Sequence, residues 1–175
     1  MRGLAACSSA VLAAAFVLLT ATAAAQQTDG AASKQQIAIH EQGVDHHVGG
    51  PNGTFTIELA LPGFAAAGKT HIANGPGPTK YVAGQQRIPF SGEDTLTSSK
   101  GQLVIAFKGT HIPLNNRATA SGVAVGPAVE SGTWKITSAT GAYEGWKGGG
   151  PFAAAIFGYT VNPSYSVEWD GYITH

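Results

Sequence analysis

From Gln36 to the C-terminus, apolar side chains recur at alternate positions, and turn residues interrupt them every ten residues or so. A period of two sends successive side chains to opposite faces of a strand, whereas a helix needs apolar residues three and four apart. No stretch of twelve or more residues past the N-terminal segment shows the helical period. Such a chain is predicted to build its core from strands and to bury one face of each.

The clearest run is Phe55, Ile57, Leu59 and Leu61, alternating with Thr54, Thr56, Glu58 and Ala60 and ended by Pro62-Gly63. A second strand spans Arg87 to Ser98 with Ile88, Phe90 and Leu96, and Ser99-Lys100-Gly101 turns it into Leu103, Ile105 and Phe107, a hairpin. Trp134 and Ile136 alternate with Thr133, Lys135 and Thr137; Phe152 to Tyr159 and Tyr165 to Thr174 follow, the latter with Val167, Trp169 and Ile173 on one face. Gly63 to Gly68 holds alanines but is too short to nucleate a helix alone. Thr110 to Glu130 reads as a Pro/Gly-containing connection. Ser138 to Gly150, with five glycines, reads as a shaped corner that Gly148-Gly149-Gly150 bends before Pro151. The expected fold is all-β: a single small antiparallel β-barrel of about eight strands, with a β-sandwich as the alternative.

Arg2, the apolar run Val11 to Thr20 and the small residues Ala21 to Ala25 have the order of a secretory signal. The apolar run is only about ten residues, well short of the roughly 20 that span a bilayer, so no stable membrane anchor is expected. Residues 1–25 are assigned as signal peptide, 26–35 as a flexible leader and 36–175 as the barrel domain, secreted or periplasmic. Cys7 precedes the apolar run, unlike a lipoprotein cysteine, and leaves with the signal; the remaining chain has no cysteine. A domain of about 150 residues buries roughly 70% of its unfolded surface, enough without disulfides. Without Arg2 there are nine basic residues against ten acidic ones and no basic stripe, which argues against nucleic acid as a partner.

Phe90-Ser91-Gly92-Glu93-Asp94-Thr95-Leu96-Thr97, the turn at Lys100-Gly101, and Gly132-Thr133-Trp134 leading into Thr140-Gly141-Ala142-Tyr143-Glu144-Gly145 resemble secreted proteins of the allene oxide cyclase barrel-like and dirigent-like group. The likeness covers Phe90 to Thr174. It implies an eight-stranded barrel with an apolar cavity, often in homo-oligomers, that binds or acts on small hydrophobic molecules; it carries no catalytic residue onto this chain. Gly132-Thr133-Trp134 alone also resembles the opening strand of avidin-type barrels, without the contacts that biotin needs.

Three histidines, His40, His46 and His47, fall close together with Glu41 and Asp45 between them, a composition suited to zinc. Neighbouring strand residues face opposite ways, so His46 and His47 cannot share an ion. The metal candidates are therefore His40 and His46, with His71 or His111 brought from afar, against the alternative of a polar surface segment. Glu58, Glu168 and Asp170 oppose the apolar faces of their strands, and Glu93, Asp94 and Glu144 read as solvated, which leaves no acid–base pair. There is no Gly-x-Ser-x-Gly elbow and no phosphate loop. Asn52-Gly53-Thr54 is a glycosylation sequon. Phe55, Ile57, Phe107, Trp134 and Trp169 lie on apolar faces and are the candidates to line a ligand cavity. Tyr143 and Trp146, in the glycine-rich corner, are expected to be exposed at a cavity lip or an oligomer contact. These features predict a cofactor-free barrel that binds a small apolar molecule or serves as a non-catalytic interaction module; the alternative is an isomerase or cyclase of the allene oxide cyclase type. A buried, perturbed carboxylate or histidine at the cavity distinguishes the two.

Overall fold

The computed structural model describes residues 33–46, 50–60, 64–115, 117–118 and 124–175. The signal segment, Cys7 and the break at Pro62-Gly63 lie outside these residues. Eight strands build the barrel: β1 (Gln35–His46), β2 (Gly50–Leu59), β3 (Ala65–Pro76), β5 (Gln85–Ser98), β6 (Gly101–Pro113), β9 (Ala128–Ala139), β10 (Lys147–Phe157) and β11 (Ser164–Thr174). Three short strands lie outside the ring: β4 (Lys80–Val82), paired with β5, and the two-residue pair β7 (Arg117–Ala118) and β8 (Ala124–Val125). Each barrel strand pairs antiparallel with its chain neighbours, β3 pairs directly with β5, and β11 returns to β1. The result is an up-and-down meander in which every strand of the ring is paired on both sides, so no edge is left open.

The inward faces carry the core. Ile37, Ile39, Phe55, Ile57, Leu96, Leu103, Ile105, Trp134, Phe152, Val167, Trp169 and Ile173 are buried, while Thr54, Thr56, Glu58, Lys108, Lys135, Glu168 and Asp170 alternate with them outside. This is the inverse of the apolar-out alternation of a lipid-facing barrel. The alternation that predicts the barrel holds for β2, β5, β6, β9 and β11.

One strand is added and two local expectations are corrected. The alanine-rich segment after Gly63, which is too short for a helix and shows no strand alternation, belongs to β3, whose inward residues are Ala66, Gly68, Thr70 and Ile72. Small and polar inward residues leave no apolar alternation to read. Gly148-Gly149-Gly150 does not bend the chain, because β10 passes straight through it, paired with β9 and β11. Tyr143 and Trp146 are not exposed but buried. A single 3-10 turn, Gly141–Tyr143, folds them across one end of the barrel, where they stack with Phe64 at ring distances of 4.9 to 5.7 Å. The Tyr143 hydroxyl is 2.8 Å from Ser98 Oγ, and Lys100 Nζ lies 4.8 Å over the Phe64 ring. That end is plugged by aromatic rings, which leaves the opposite end, at the β10–β11 connection, as the mouth.

Candidate functional site

At the mouth the inward ladders change character. Deep in the barrel they are apolar apart from Glu41, Thr70 and Asp94; their last members are Asp45 on β1, Asn74 on β3, and Glu130 on β9, which end at the rim of a recess. Seven of the eight strands line it, β2 being the exception, and its walls are Ile72, Phe90, Phe107, Phe152, Ala154, Ile156, Val167, Tyr165 and Trp169. The recess holds about 40 Å³ for a water-sized sphere and about 460 Å³ when the open funnel above it is counted. Cavities that swallow a drug-sized molecule run to several hundred Å³. The enclosed part of this one is far smaller.

Its floor is a continuous aromatic cluster. Phe107 stands 5.8 Å from Phe90, 6.0 Å from Phe152 and 5.6 Å from Trp169, and Phe152 stands 4.9 Å from Trp169, all tilted or edge-to-face. Such geometries place ring edges against ring faces, the favourable arrangement for their quadrupoles. Phe152 lies flat against the wall because Gly109 and Gly132 carry no side chain there: a Cβ at Gly132 would sit 2.6 Å from a ring carbon of Phe152 and one at Gly109 2.8 Å.

Behind Tyr165 and Trp169 lies the most unusual chemistry of the interior. Glu41 and Asp94 are both buried, with relative exposures of 2% and 0%. The Tyr165 hydroxyl donates to Glu41 Oε1 at 2.8 Å and Trp169 Nε1–H donates to Oε2 at 3.1 Å. The Thr70 hydroxyl donates to Asp94 Oδ1. Asp94 Oδ2 is enclosed; the His71 backbone N–H and the Glu41 carboxylate are both within hydrogen-bonding reach of the Asp94 carboxyl. Two adjacent carboxylates in a dry interior repel, and a proton on one turns the repulsion into a hydrogen bond. Burial, and after it the charge of Glu41, holds Asp94 well above the ordinary carboxylate range. A raised Asp94 favours its protonated form beside the Glu41 carboxylate, whose two oxygens accept from Tyr165 and Trp169. Burial and the Glu41 charge also push the Tyr165 phenol far above its usual value, so it remains a neutral donor. The Tyr165 ring reaches this position across Gly43 and Gly53, where an added Cβ would come within 2.8 and 2.6 Å of its hydroxyl.

Of the five aromatic and aliphatic cavity candidates, the recess takes Phe107 and Trp169. Phe55, Ile57 and Trp134 are buried below or beside it as core; Trp134 Nε1–H is held by the carbonyls of Pro151 and Asp170 at 3.0 and 2.9 Å. His40 points outward and pairs with Glu168. The His46 side chain lies outside the described residues, among which no group of three metal-ligating side chains converges. His71 is exposed beside Asn52, 2.8 Å away, and His111 Nδ1 meets Glu130 Oε1 at 2.8 Å beside the mouth. The solvated reading of Asp94 is overturned by its complete burial; Glu93, its neighbour, faces out. Parity carries the missed signal. Asp94 shares its face with Phe90 and Leu96, and Glu41 shares its face with Ile37 and Ile39. Compared with known protein families, curated proteins and solved structures, the chain matches none.

Proposed function

We propose that this barrel binds a small, mainly apolar molecule, end first, in the recess at its mouth. The observation that carries the reading is the recess itself, with an aromatic floor, aliphatic walls and a polar rim confined to the last inward residues. Apolar walls with a few convergent polar groups are the usual make-up of a small-molecule site. The test is an apolar fluorescent probe titrated against the protein, with Trp169 emission as the second readout. Saturable binding should be lost in Ala154→Phe, which fills the recess from its wall. Equal binding by wild type and Ala154→Phe would sink the reading.

One observation favours a second reading, a cofactor-free isomerase or cyclase acting on a small hydrophobic substrate. The Glu41–Asp94 pair stands one side chain away from the recess, with Tyr165 contacting both. A buried acid held well above the ordinary carboxylate range is a proton donor in reserve. Under this reading, Tyr165→Phe retains probe binding but abolishes turnover of any hydrophobic substrate found by screening; unchanged turnover would remove Tyr165 and the pair behind it from the chemistry.

A further inference from the structure

The two ends of the barrel differ in where large hydrophobic side chains are left exposed. Near the plugged end, among the described residues, there is only Tyr172, with Lys34 Nζ over its ring. All the others stand at the mouth. Tyr81, 72% exposed, and Val82 lie on the β4–β5 hairpin, Leu114 follows β6, and Val129 stands near the start of β9. Phe157, 53% exposed, ends β10, and Tyr159 and Val161 follow it in the connection to β11. The strands concerned are neighbours in the sheet, in the order β4, β5, β6, β9, β10. The Leu114 N–H donates to the Pro127 carbonyl at 2.7 Å, which ties the end of β6 to the start of β9. The exposed residues therefore form one arc along one side of the rim.

Clustered exposed apolar side chains mark a contact surface, and the charges of the arc say what it meets. Lys80 and Arg87 are cross-strand neighbours on β4 and β5, and neither is ion-paired among the described residues. Glu130, the carboxylate on this side of the rim, is already held by His111; Asp45 lies on β1, outside the arc, and has an interaction of its own. A second copy of the chain on a two-fold axis would set cation against cation, with Glu130 already taken. An anionic lipid surface suits both features. Its phosphates attract Lys80 and Arg87, and the boundary between headgroups and acyl chains takes aromatic and aliphatic side chains. The polar outer wall is unlike that of a spanning barrel, which confines the contact to this end. We propose that the mouth end docks reversibly on anionic lipid bilayers through this arc, with the recess opening beside the membrane. The docking goes beyond the recess reading and does not depend on it.

The experiment is flotation of the purified protein with vesicles of phosphatidylcholine alone and of phosphatidylcholine mixed with phosphatidylglycerol, at low salt. Binding to the mixed vesicles should be about tenfold or more stronger, from two basic residues near a charged surface, and added salt should narrow the gap. Tyr81→Ser combined with Phe157→Ser, both exposed positions, should weaken binding to the mixed vesicles about tenfold or more. Lys80→Glu should weaken binding to the mixed vesicles and spare whatever binding the neutral ones show. Tyr172→Ser, at the plugged end, should change nothing. Ala154→Phe, which fills the recess, should dock like the wild type, so that docking and probe binding are read separately. Equal flotation of the wild type and the Tyr81→Ser, Phe157→Ser protein, or no flotation with either vesicle, would overturn the docking and leave the recess reading standing. A dimer in sedimentation velocity that the same double substitution dissociates would assign the arc to a second copy instead.

Discussion

Replacing Asp94 by asparagine tests the Asp94 proton directly. An unfolded aspartate releases its proton near pH 3.9, whereas burial and Glu41 hold the folded Asp94 well above that range. Between those two values the folded protein keeps a proton that the unfolded chain has lost. Stability is therefore greatest below the unfolded value and falls as pH rises, by about 1.4 kcal/mol per pH unit for one proton, until the folded pair itself ionises. Asp94→Asn keeps an oxygen for the Thr70 hydroxyl and offers Glu41 a permanent N–H in place of the acid proton. Its own contribution to the slope is nil. The stability difference between wild type and variant should thus shift by about 1.4 kcal/mol in favour of the variant for each pH unit above about 4.5, roughly tenfold in the folding constant. Urea unfolding followed by tryptophan fluorescence in a series of buffers measures it, and taking the difference cancels the surface pairs His40–Glu168 and His111–Glu130, common to both proteins. Parallel stability curves for the two proteins would refute the argument, as would a variant less stable than wild type at every pH.

Phe107→Ala removes a ring packed on three aromatic neighbours but facing the recess on one side; equilibrium unfolding should show a loss of about 3 kcal/mol, the lower end for a buried aromatic, and probe binding should weaken with it. Gly43→Ala places a Cβ 2.2 Å from the Asn52 carbonyl oxygen and 2.8 Å from the Tyr165 hydroxyl, so it should destabilise by about 1–3 kcal/mol in the same assay, and wild-type stability would show that the wall there yields. Above about pH 10, where an unfolded tyrosine ionises, the raised Tyr165 makes stability fall with rising pH; Tyr165→Phe should lessen that alkaline loss, read from thermal melts. Secreted protein should begin at or near Gln26 by mass spectrometry, and an intact Met1 in a cytosolic fraction would contradict the signal reading.

How much of this was legible depends on what each strand puts inside. Where the inward residues are large and apolar, as in Phe55-x-Ile57, Leu103-x-Ile105-x-Phe107 and Val167-x-Trp169, alternation alone names the strand and its buried face. Strand β3 escapes because its inward residues are alanine, glycine, threonine and a single isoleucine; it is a strand only because β2 and β5 offer it two rows of partners. Likewise Gly148-Gly149-Gly150 reads as a bend by its own freedom, and neighbours on both sides hold it extended.

The site divides along the same line. Chain chemistry alone determined an all-β domain, a polar exterior, an interior without cysteine, and the inward placement of Phe107 and Trp169, because side-chain parity is a property of one strand. Glu41 and Asp94 have inward parity too, a signal the solvated reading of Asp94 passed over, because one strand gives no reason for a carboxyl to stay inside and solvation is the cheaper outcome for an isolated acid. Only closure of the barrel decided otherwise. It set β1, β11, β3 and β5 around a common interior, so that Glu41 met the donors Tyr165 and Trp169 and Asp94 met Thr70 and Glu41. Closure likewise gathered Asp45, Asn74 and Glu130 from distant parts of the chain into one rim, and laid Phe64, Tyr143 and Trp146 across the other end. Hydrogen bonds and charge pairing between residues more than a hundred positions apart, as between Glu41 and Tyr165, arise from the way the sheet wraps, and no local pattern of letters records that.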